Sequence, residues 1–136
     1  SIVLHGGEPF LLGSSGLDFL LKTLREHLDD GFTISIQTNG VLITEEILDI
    51  CSIYKVSVAV SIDGPKHVHD KSRIGHNGKG SFEQVLNGIK ILKLHRDSEF
   101  LFAGLLAVID PESDPVEIYQ FFKEIFHFIP PSTVAG

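Results

Sequence analysis

Apolar and polar residues alternate along the chain in a pattern that predicts four strands, each followed by a helix. Apolar residues at every second position indicate the strands, and apolar residues three and four positions apart indicate the helices between them. The predicted strands are Ile2–His5, Phe32–Thr38, Val56–Ile62 and about Phe100–Ile109. This βαβαβαβα order favours an α/β fold with a parallel sheet and right-handed crossovers. The sheet is either open or an arc of a barrel, and four strands leave two edges that could pair with another copy.

Polar residues mark the predicted helix starts and one long loop. The candidate caps are Ser14 or Ser15 for a helix that ends near Asp29, Thr44, the capping box Ser81–Gln84, and Asp114 with Glu117 as its reaching partner. The segment from Pro65 to Gly80 is predicted to be a polar loop, and its length is typical of a functional or disordered loop. This loop holds His67, His69, Asp70, Arg73 and His76. We predict one domain over residues 1–129 and a linker or tail over residues 130–136.

Composition narrows the classes of function. The 136-residue chain carries a net charge of -7 and has no basic cluster, which argues against a nucleic acid partner. No apolar run approaches the roughly 20 residues that would span a membrane. The single cysteine, Cys51, falls on the apolar face of a predicted helix, and one cysteine suits a cytoplasmic protein. Methionine is absent even at position 1, from which we expect a fragment of a longer protein.

Three predicted strands end in polar motifs, which are Gly6–Pro9, Gln37–Gly40 and Ser61–Gly64. Each motif alone is typical of a simple turn. The carboxyl ends of parallel strands lie on one rim, so the three motifs are expected to meet in one cleft. Glu8 and Asp63 supply acceptors for an ammonium group or for ribose hydroxyls. The ligand that this chemistry favours is a small polar molecule with a positive group and a sugar.

Taken in order, these motifs resemble those of the radical S-adenosylmethionine (SAM) enzymes. The likeness is greater to the branch with a C-terminal SPASM domain, which includes anaerobic sulfatase-maturating enzymes and peptide maturases. It is carried by Leu4–Pro9, Ser35–Gly40, Ser61–Pro65, His69, Asp70, Arg73, Gly80–Phe82, Val85, Gly88 and Ile89. The resemblance implies a partial (β/α)6 barrel, in which this chain supplies the second to the fifth strand.

The resemblance also implies a SAM site. The residues matched to it are Gly6, Gly7 and Glu8 for the amino group, Gln37 and Asn39 for polar contacts, Ser61 for the ribose or carboxylate, Arg73 for the carboxylate, and Leu106 for the adenine. Asp63 is interpreted as local to its turn.

The cysteine motif that binds the [4Fe–4S] cluster of this family is absent, and Cys51 alone cannot replace it. The resemblance implies that an intact parent protein holds the cluster and abstracts hydrogen from a peptide or protein through a 5′-deoxyadenosyl radical. The chain alone is predicted to be inactive, and we predict no metal ligands within it. A metal site among His67, His69 and His76 is a weaker hypothesis. Two alternatives remain, which are a truncated nucleotide-binding or protein-interaction module and a plain α/β domain without a ligand.

Overall fold

A computed structural model describes residues 1–74 and 78–128, and for residues 126–128 it describes the backbone alone. The described chain forms a four-stranded sheet in the order β1-β2-β3-β4, and every neighbouring pair is parallel. The strands are β1 (Ile2–Leu4), β2 (Ile34–Thr38), β3 (Val56–Ser61) and β4 (Phe102–Leu106). The predicted parallel α/β fold is therefore confirmed. β1 and β4 are the sheet edges, and self-association through them stays a prediction.

Within the described residues, six α-helices connect and follow the strands. They are α1 (Gly13–His27), α2 (Glu45–Ile53), α3 (Lys66–Ser72), α4 (Phe82–Leu94), α5 (Ser98–Leu101) and α6 (Pro115–Phe128), and a 3-10 turn at Pro9–Leu12 precedes α1. None of the helices in the described ranges is both long and apolar enough to cross a membrane.

The two faces of the sheet differ in chemistry. Consecutive parallel strands joined by right-handed crossovers place their helices on the same side of the sheet. The strand side chains on the helix-covered face are apolar and buried, and they are Ile34, Ile36, Val56, Val58 and Val60. The core also contains buried helix residues, which include Leu17, Leu21, Leu48, Cys51, Ile89 and Leu92. The opposite face, here called the uncovered face, consists largely of small or polar residues in register, which are Val3, Ser35, Gln37, Ser57, Ala59, Ser61, Gly104 and Leu106.

Helix α4 packs closely against the turn that follows β2. A Cβ atom built at Gly88 would lie 2.1 Å from the carbonyl oxygen of Gly40, well inside van der Waals contact. Gly40 itself has a φ of 80°, which favours glycine. The two glycines therefore let the helix touch the backbone of the turn.

Arg25 of α1 binds the two backbone segments that lead into β2 and β3. Its guanidinium donates to four backbone carbonyl oxygens at 2.7–3.0 Å, and they belong to Asp29, Phe32, Tyr54 and Lys55. These residues follow α1 and α2 and directly precede β2 and β3. One side chain thus satisfies carbonyls at the amino ends of two neighbouring strands.

Two of the predicted helix caps are confirmed. The backbone N–H of Ile47 donates to Thr44 Oγ1 at 3.1 Å, and that of Val116 donates to Asp114 Oδ1 at 2.9 Å. Glu117 Oε1 lies 2.6 Å from Nε2 of His67 on α3.

The other two predicted caps are wrong. Helix α1 begins at Gly13, before Ser14 and Ser15, because it continues from the 3-10 turn without a side-chain cap. Ser81 precedes α4 but makes no capping bond, because its hydroxyl is bonded elsewhere. Asp70 Oδ1 instead accepts the backbone N–H of Phe82 at 2.9 Å.

Two element boundaries also differ from the prediction. The segment predicted as a loop from Pro65 to Gly80 contains helix α3, and only His69 within that helix is buried. The predicted fourth strand begins as helix α5 and ends early, at Leu106. Its pairing with β3 is also irregular between Val58 and Ala59. His76 and the predicted tail of residues 130–136 lie outside the described residues.

Candidate functional site

The carboxyl ends of the strands bring the first two predicted motifs together. Glu8 Oε2 accepts hydrogen bonds from the backbone N–H of Phe10 at 2.9 Å and from Thr38 Oγ1 at 2.7 Å. Glu8 Oε1 accepts one from the backbone N–H of Asn39 at 2.7 Å. The carboxylate thereby ties the loop after β1 to the end of β2. Because each carboxylate oxygen has two lone pairs, acceptor capacity remains for a ligand.

Gly6 and Gly7 form the backbone just before this carboxylate. Both have a positive φ, of 76° and 44°, and a Cβ atom built at either would meet no atom within 4 Å. The open space means that the positive φ, and not crowding within the chain, is what favours glycine here. The arrangement leaves room for a ligand to approach the main chain.

Three further candidates lie on the uncovered face near the same rim. The side-chain amide of Gln37 donates to Ser61 Oγ at 3.4 Å, and Ser61 is paired in register with Leu106. Ser61 is 5% exposed, whereas Leu106 is 45% exposed although it belongs to a strand. An apolar side chain beside two hydrogen-bonding groups is a combination suited to a flat, polar-edged ring.

The reading of Asp63 as local to its turn is wrong. Asp63 is 5% exposed and its carboxylate accepts from Arg73 Nε at 2.7 Å and from Arg73 Nη2 at 3.2 Å. It also accepts the backbone N–H of Val108 at 2.9 Å, which lies just beyond β4. Burial alone would raise the pKa of Asp63, but the bonds from Arg73 and Val108 outweigh it and hold the pKa below its usual value.

A directed chain of hydrogen bonds supports this part of the rim. The backbone N–H of Asp63 donates to His69 Nδ1 at 3.2 Å, so Nδ1 must be the unprotonated nitrogen. Nε2–H of His69 then donates to Ser81 Oγ at 3.1 Å, and the Ser81 hydroxyl donates to the carbonyl oxygen of Arg73 at 2.9 Å. His69 is fully buried, and this burial lowers its pKa, which favours the neutral ring. The relay fixes the backbone that carries Arg73.

A second cleft, of about 330 Å³, opens between α3 and α6. Its lining residues are His67, Val68, Lys71, Asp110, Glu112, Ser113, Asp114 and Glu117. The His67–Glu117 contact of 2.6 Å and the Lys71–Asp110 ion pair of 3.2 Å occupy its main charged groups. Glu112 and Asp114 also line the cleft, so its carboxylates outnumber its cationic groups.

Cys51 is a core residue. Its side chain is fully buried on α2, and burial raises the pKa of its thiol to about 12. A thiol in this environment is a poor metal ligand, since metals bind the thiolate. Within residues 1–74 and 78–128, no group of three His, Cys, Asp or Glu side chains could hold a metal ion. These residues do not fit an iron–sulfur cluster.

Comparison with known proteins identifies the family. The profile of the radical SAM superfamily matches residues 1–122, which is most of the chain. The chain belongs to the radical SAM superfamily. Among its relatives, a serine-type anaerobic sulfatase-maturating enzyme of Bacteroides thetaiotaomicron is 38% identical over 131 residues, which cover 92% of this chain and 30% of that protein. A cysteine-type enzyme of the same name from Clostridium novyi is 30% identical over 138 residues, covering 96% of this chain and 36% of that protein.

Solved structures agree with this assignment. The structure of native anSMEcpe with bound AdoMet (SAM) and Kp18Cys peptide superimposes with a TM-score of 0.76 at 30% identity, covering 90% of this chain and 34% of that one. The same protein with bound AdoMet alone also gives a TM-score of 0.76, at 30% identity over 90% of this chain and 33% of that one. The radical SAM chain described here is thus a partial (β/α) barrel, as the sequence resemblance implied, and it spans about a third of the length of these relatives.

Sequence reasoning missed the roles of two residues of this rim. Thr38 fixes Glu8, and Asp63 fixes Arg73 and Val108, but neither was singled out for that role. For Thr38 a signal was available, because a hydroxyl at the last position of a strand lies beside the first motif whenever β1 and β2 are neighbours. The partner of Asp63 lies 45 residues further along the chain, and no local pattern indicates it.

Proposed function

We propose that this chain forms the SAM-binding central part of a radical SAM enzyme that modifies a peptide or protein. The observation that carries the proposal is the placement of the Glu8 carboxylate, which three donors from two strand ends hold at the rim of the sheet. A carboxylate held in this way is preorganised to meet an ammonium group. Membership of the superfamily makes SAM the ammonium compound to expect.

The contacts to the ligand follow from its chemistry. Glu8 would accept from the amino group of SAM, while Gly6 and Gly7 would let that end of the ligand approach the backbone. Arg73 is suited to the carboxylate, because a guanidinium forms paired hydrogen bonds with two oxygens.

The remaining candidates suit the nucleoside part of SAM. Ser61 could donate to or accept from the ribose, and Gln37 and Asn39 would supply further polar contacts. Leu106 would pack on the adenine, and its exposure on the uncovered face supports that role.

The iron–sulfur cluster requires ligands that these 136 residues do not supply, since their one cysteine is buried in the core. We therefore propose that the cluster ligands lie elsewhere in an intact protein. Once bound by these residues and reduced by one electron from the cluster, SAM would release methionine and supply the 5′-deoxyadenosyl radical that abstracts hydrogen from the substrate. The residues described here bind and orient the cofactor, which carries the difficult chemistry.

A peptide or protein is the proposed substrate. The relatives are sulfatase-maturating enzymes, and a solved structure of the same fold holds a peptide together with AdoMet. The small side chains of the uncovered face, such as Ser35, Ser57 and Ala59, leave space above the sheet for large ligands. A peptide chain lying over bound SAM would use that space.

The first experiment measures SAM binding to the full-length protein by calorimetry. We expect Ser61→Ala, at the rim, to weaken binding several-fold, because it removes one hydrogen bond to the ligand. Ser57→Ala, on the same face but four residues deeper in the same strand, is the matched control and should bind as the wild type does. No heat at millimolar SAM would contradict the proposed site.

The second experiment tests the chemistry. The full-length protein, reconstituted anaerobically with iron and sulfide, should form 5′-deoxyadenosine when dithionite is added with SAM. A protein that binds SAM but takes up no iron would support the alternative of a nucleotide-binding module instead.

A further inference from the structure

Asp63 joins three separate segments of the rim through one carboxylate. It accepts from the Arg73 side chain at 2.7 and 3.2 Å and from the backbone N–H of Val108 at 2.9 Å, with Ser72 Oγ at 3.4 Å. Its own backbone N–H is held by His69. Few positions in the described chain are tied to so many neighbours.

The contact with Arg73 uses one particular edge of the guanidinium. A guanidinium has two edges that can pair with a carboxylate, one formed by Nε and Nη2 and the other by Nη1 and Nη2. Asp63 lies against the Nε edge. The Nη1 edge is the one left in position to pair with a second carboxylate. The Arg73 side chain is 28% exposed, so solvent or a ligand can reach it.

The contact with Val108 holds the end of β4 against the loop after β3. Ser61 and Leu106 are paired in register, and they lie two residues before Asp63 and Val108, the two residues that this hydrogen bond joins. Asp63 therefore sets the relative positions of the candidate contacts for ribose, adenine and carboxylate. A long arginine side chain held in this way loses little further conformational freedom when a ligand binds.

We propose that Asp63 is a positioning residue, which presents Arg73 to the carboxylate of the bound amino acid moiety and so makes the site selective for ligands that retain that carboxylate. This inference rests on the proposed SAM-binding function. The new element is the selectivity for ligands that retain the carboxylate, because a site could bind SAM without this selectivity.

The test compares SAM with decarboxylated SAM, which keeps the amino group, the sulfonium and the adenosine but lacks the carboxylate. Affinities for both ligands are measured by calorimetry on the full-length protein and on Asp63→Asn. We expect the substitution to weaken SAM binding about ten-fold or more, the cost of misdirecting a charge-assisted hydrogen bond. The asparagine keeps an oxygen that can accept the N–H of Val108, while its NH2 group faces Nε of Arg73. Binding of decarboxylated SAM should therefore change less than about two-fold, so the preference of the site for SAM should fall.

Asp70→Asn is the matched control. Asp70 lies in the same segment and pairs with Lys66 and the N–H of Phe82, but not with Arg73. Its replacement should leave the ratio of the two affinities unchanged. If Asp63→Asn does not fold, Arg73→Lys replaces it, because an ammonium keeps the charge but cannot pair with two carboxylates edge by edge. That variant should also lose the preference for SAM.

Three results would overturn the inference. If Asp63→Asn weakened both ligands equally, Asp63 would be a purely structural residue. If Asp63→Asn left both affinities unchanged, Asp63 would not be needed to position Arg73. If Arg73→Lys left the preference intact, Arg73 would not act on the carboxylate, while SAM binding by the wild type would still support the proposed function. A wild-type protein that bound neither ligand would remove both the proposed function and this inference.

Discussion

Replacing Glu8 separates the structural role of its carboxylate from its proposed role in binding. Glu8→Ala removes the acceptor for Phe10, Thr38 and Asn39. Hydrogen bonds to a charged group contribute about 1.5–3 kcal/mol each when buried, but Glu8 is only half-buried and Asn39 is exposed, so water replaces part of the loss. We take about 1 kcal/mol per bond and expect the free energy of unfolding to fall by about 3 kcal/mol.

Glu8→Gln refines this prediction. A glutamine can keep its carbonyl oxygen where Oε2 accepts from two donors, while its NH2 group then faces the N–H of Asn39. One bond is lost, so the free energy of unfolding should fall by about 1 kcal/mol. SAM binding should nevertheless weaken as strongly as in the alanine variant, because the charge opposite the ammonium is gone in both.

Urea unfolding followed by circular dichroism measures the stability, and calorimetry measures SAM binding. Glu124→Gln, at an exposed position on α6, is the control for loss of one carboxylate and should change neither quantity. Equal stability of wild type and Glu8→Ala would refute the view that this carboxylate ties β1 to β2. Wild-type affinity in Glu8→Gln would refute its role toward the ammonium.

Three further predictions concern the packing and the buried polar groups. Gly88→Ala should lower the free energy of unfolding by about 2–3 kcal/mol despite the better helix propensity of alanine, because its Cβ would lie 2.1 Å from the Gly40 oxygen. Since the pKa of His69 is lowered, the unfolded chain binds its proton first, so stability should fall as the pH drops below about 6.5, and His69→Asn should remove that part of the slope. The thiol of Cys51, with its pKa raised to about 12, should react with iodoacetamide only when the chain unfolds.

Each of these predictions has a control or a contradicting outcome. Asn87→Ala, at the exposed neighbouring position on α4, should be neutral or slightly stabilising in the same urea assay. A slope of stability against pH that stayed the same in His69→Asn would contradict its assignment to His69. Alkylation of Cys51 in the native protein at the rate of a free thiol would contradict its assignment to the buried core.

The positions of the strands along the chain followed from the sequence because their burial pattern has a simple period, and their parallel direction followed from their alternation with helices. Residues such as Ile34 and Ile36 alternate with Ser35, and the helix stripes repeat every three or four positions. Helix α3 was not predictable in this way, because His69 is its only buried residue and its other side chains give no apolar stripe. The early end of β4 was not predictable either, since the N–H of Val108 bonds to Asp63 in place of a neighbouring strand.

The candidate site was predictable as far as its motifs lie at strand ends. Parallel strands bring Glu8 and Asn39 together whatever lies between them, and a contact of 2.7 Å is found. The roles of polar residues with distant partners could not be read locally. Ser81 looked like a helix cap, but its hydroxyl joins His69 to the backbone of Arg73. Which partner a hydroxyl chooses depends on the tertiary fold, whereas the capping pattern is only local.

The bonds that Arg25 makes lie at the opposite end of the sheet from the candidate site. They fix the residues that lead into β2 and β3, so the starting points of both strands are set there. A lysine could not replace it, because one ammonium nitrogen cannot reach four separated carbonyls. The register of β2 against β3 is thus held at the end of the sheet that lies away from the rim loops. During evolution, or in a designed library, rim residues that hold no strand end can be exchanged and ligand preference altered without a slip of β2 against β3.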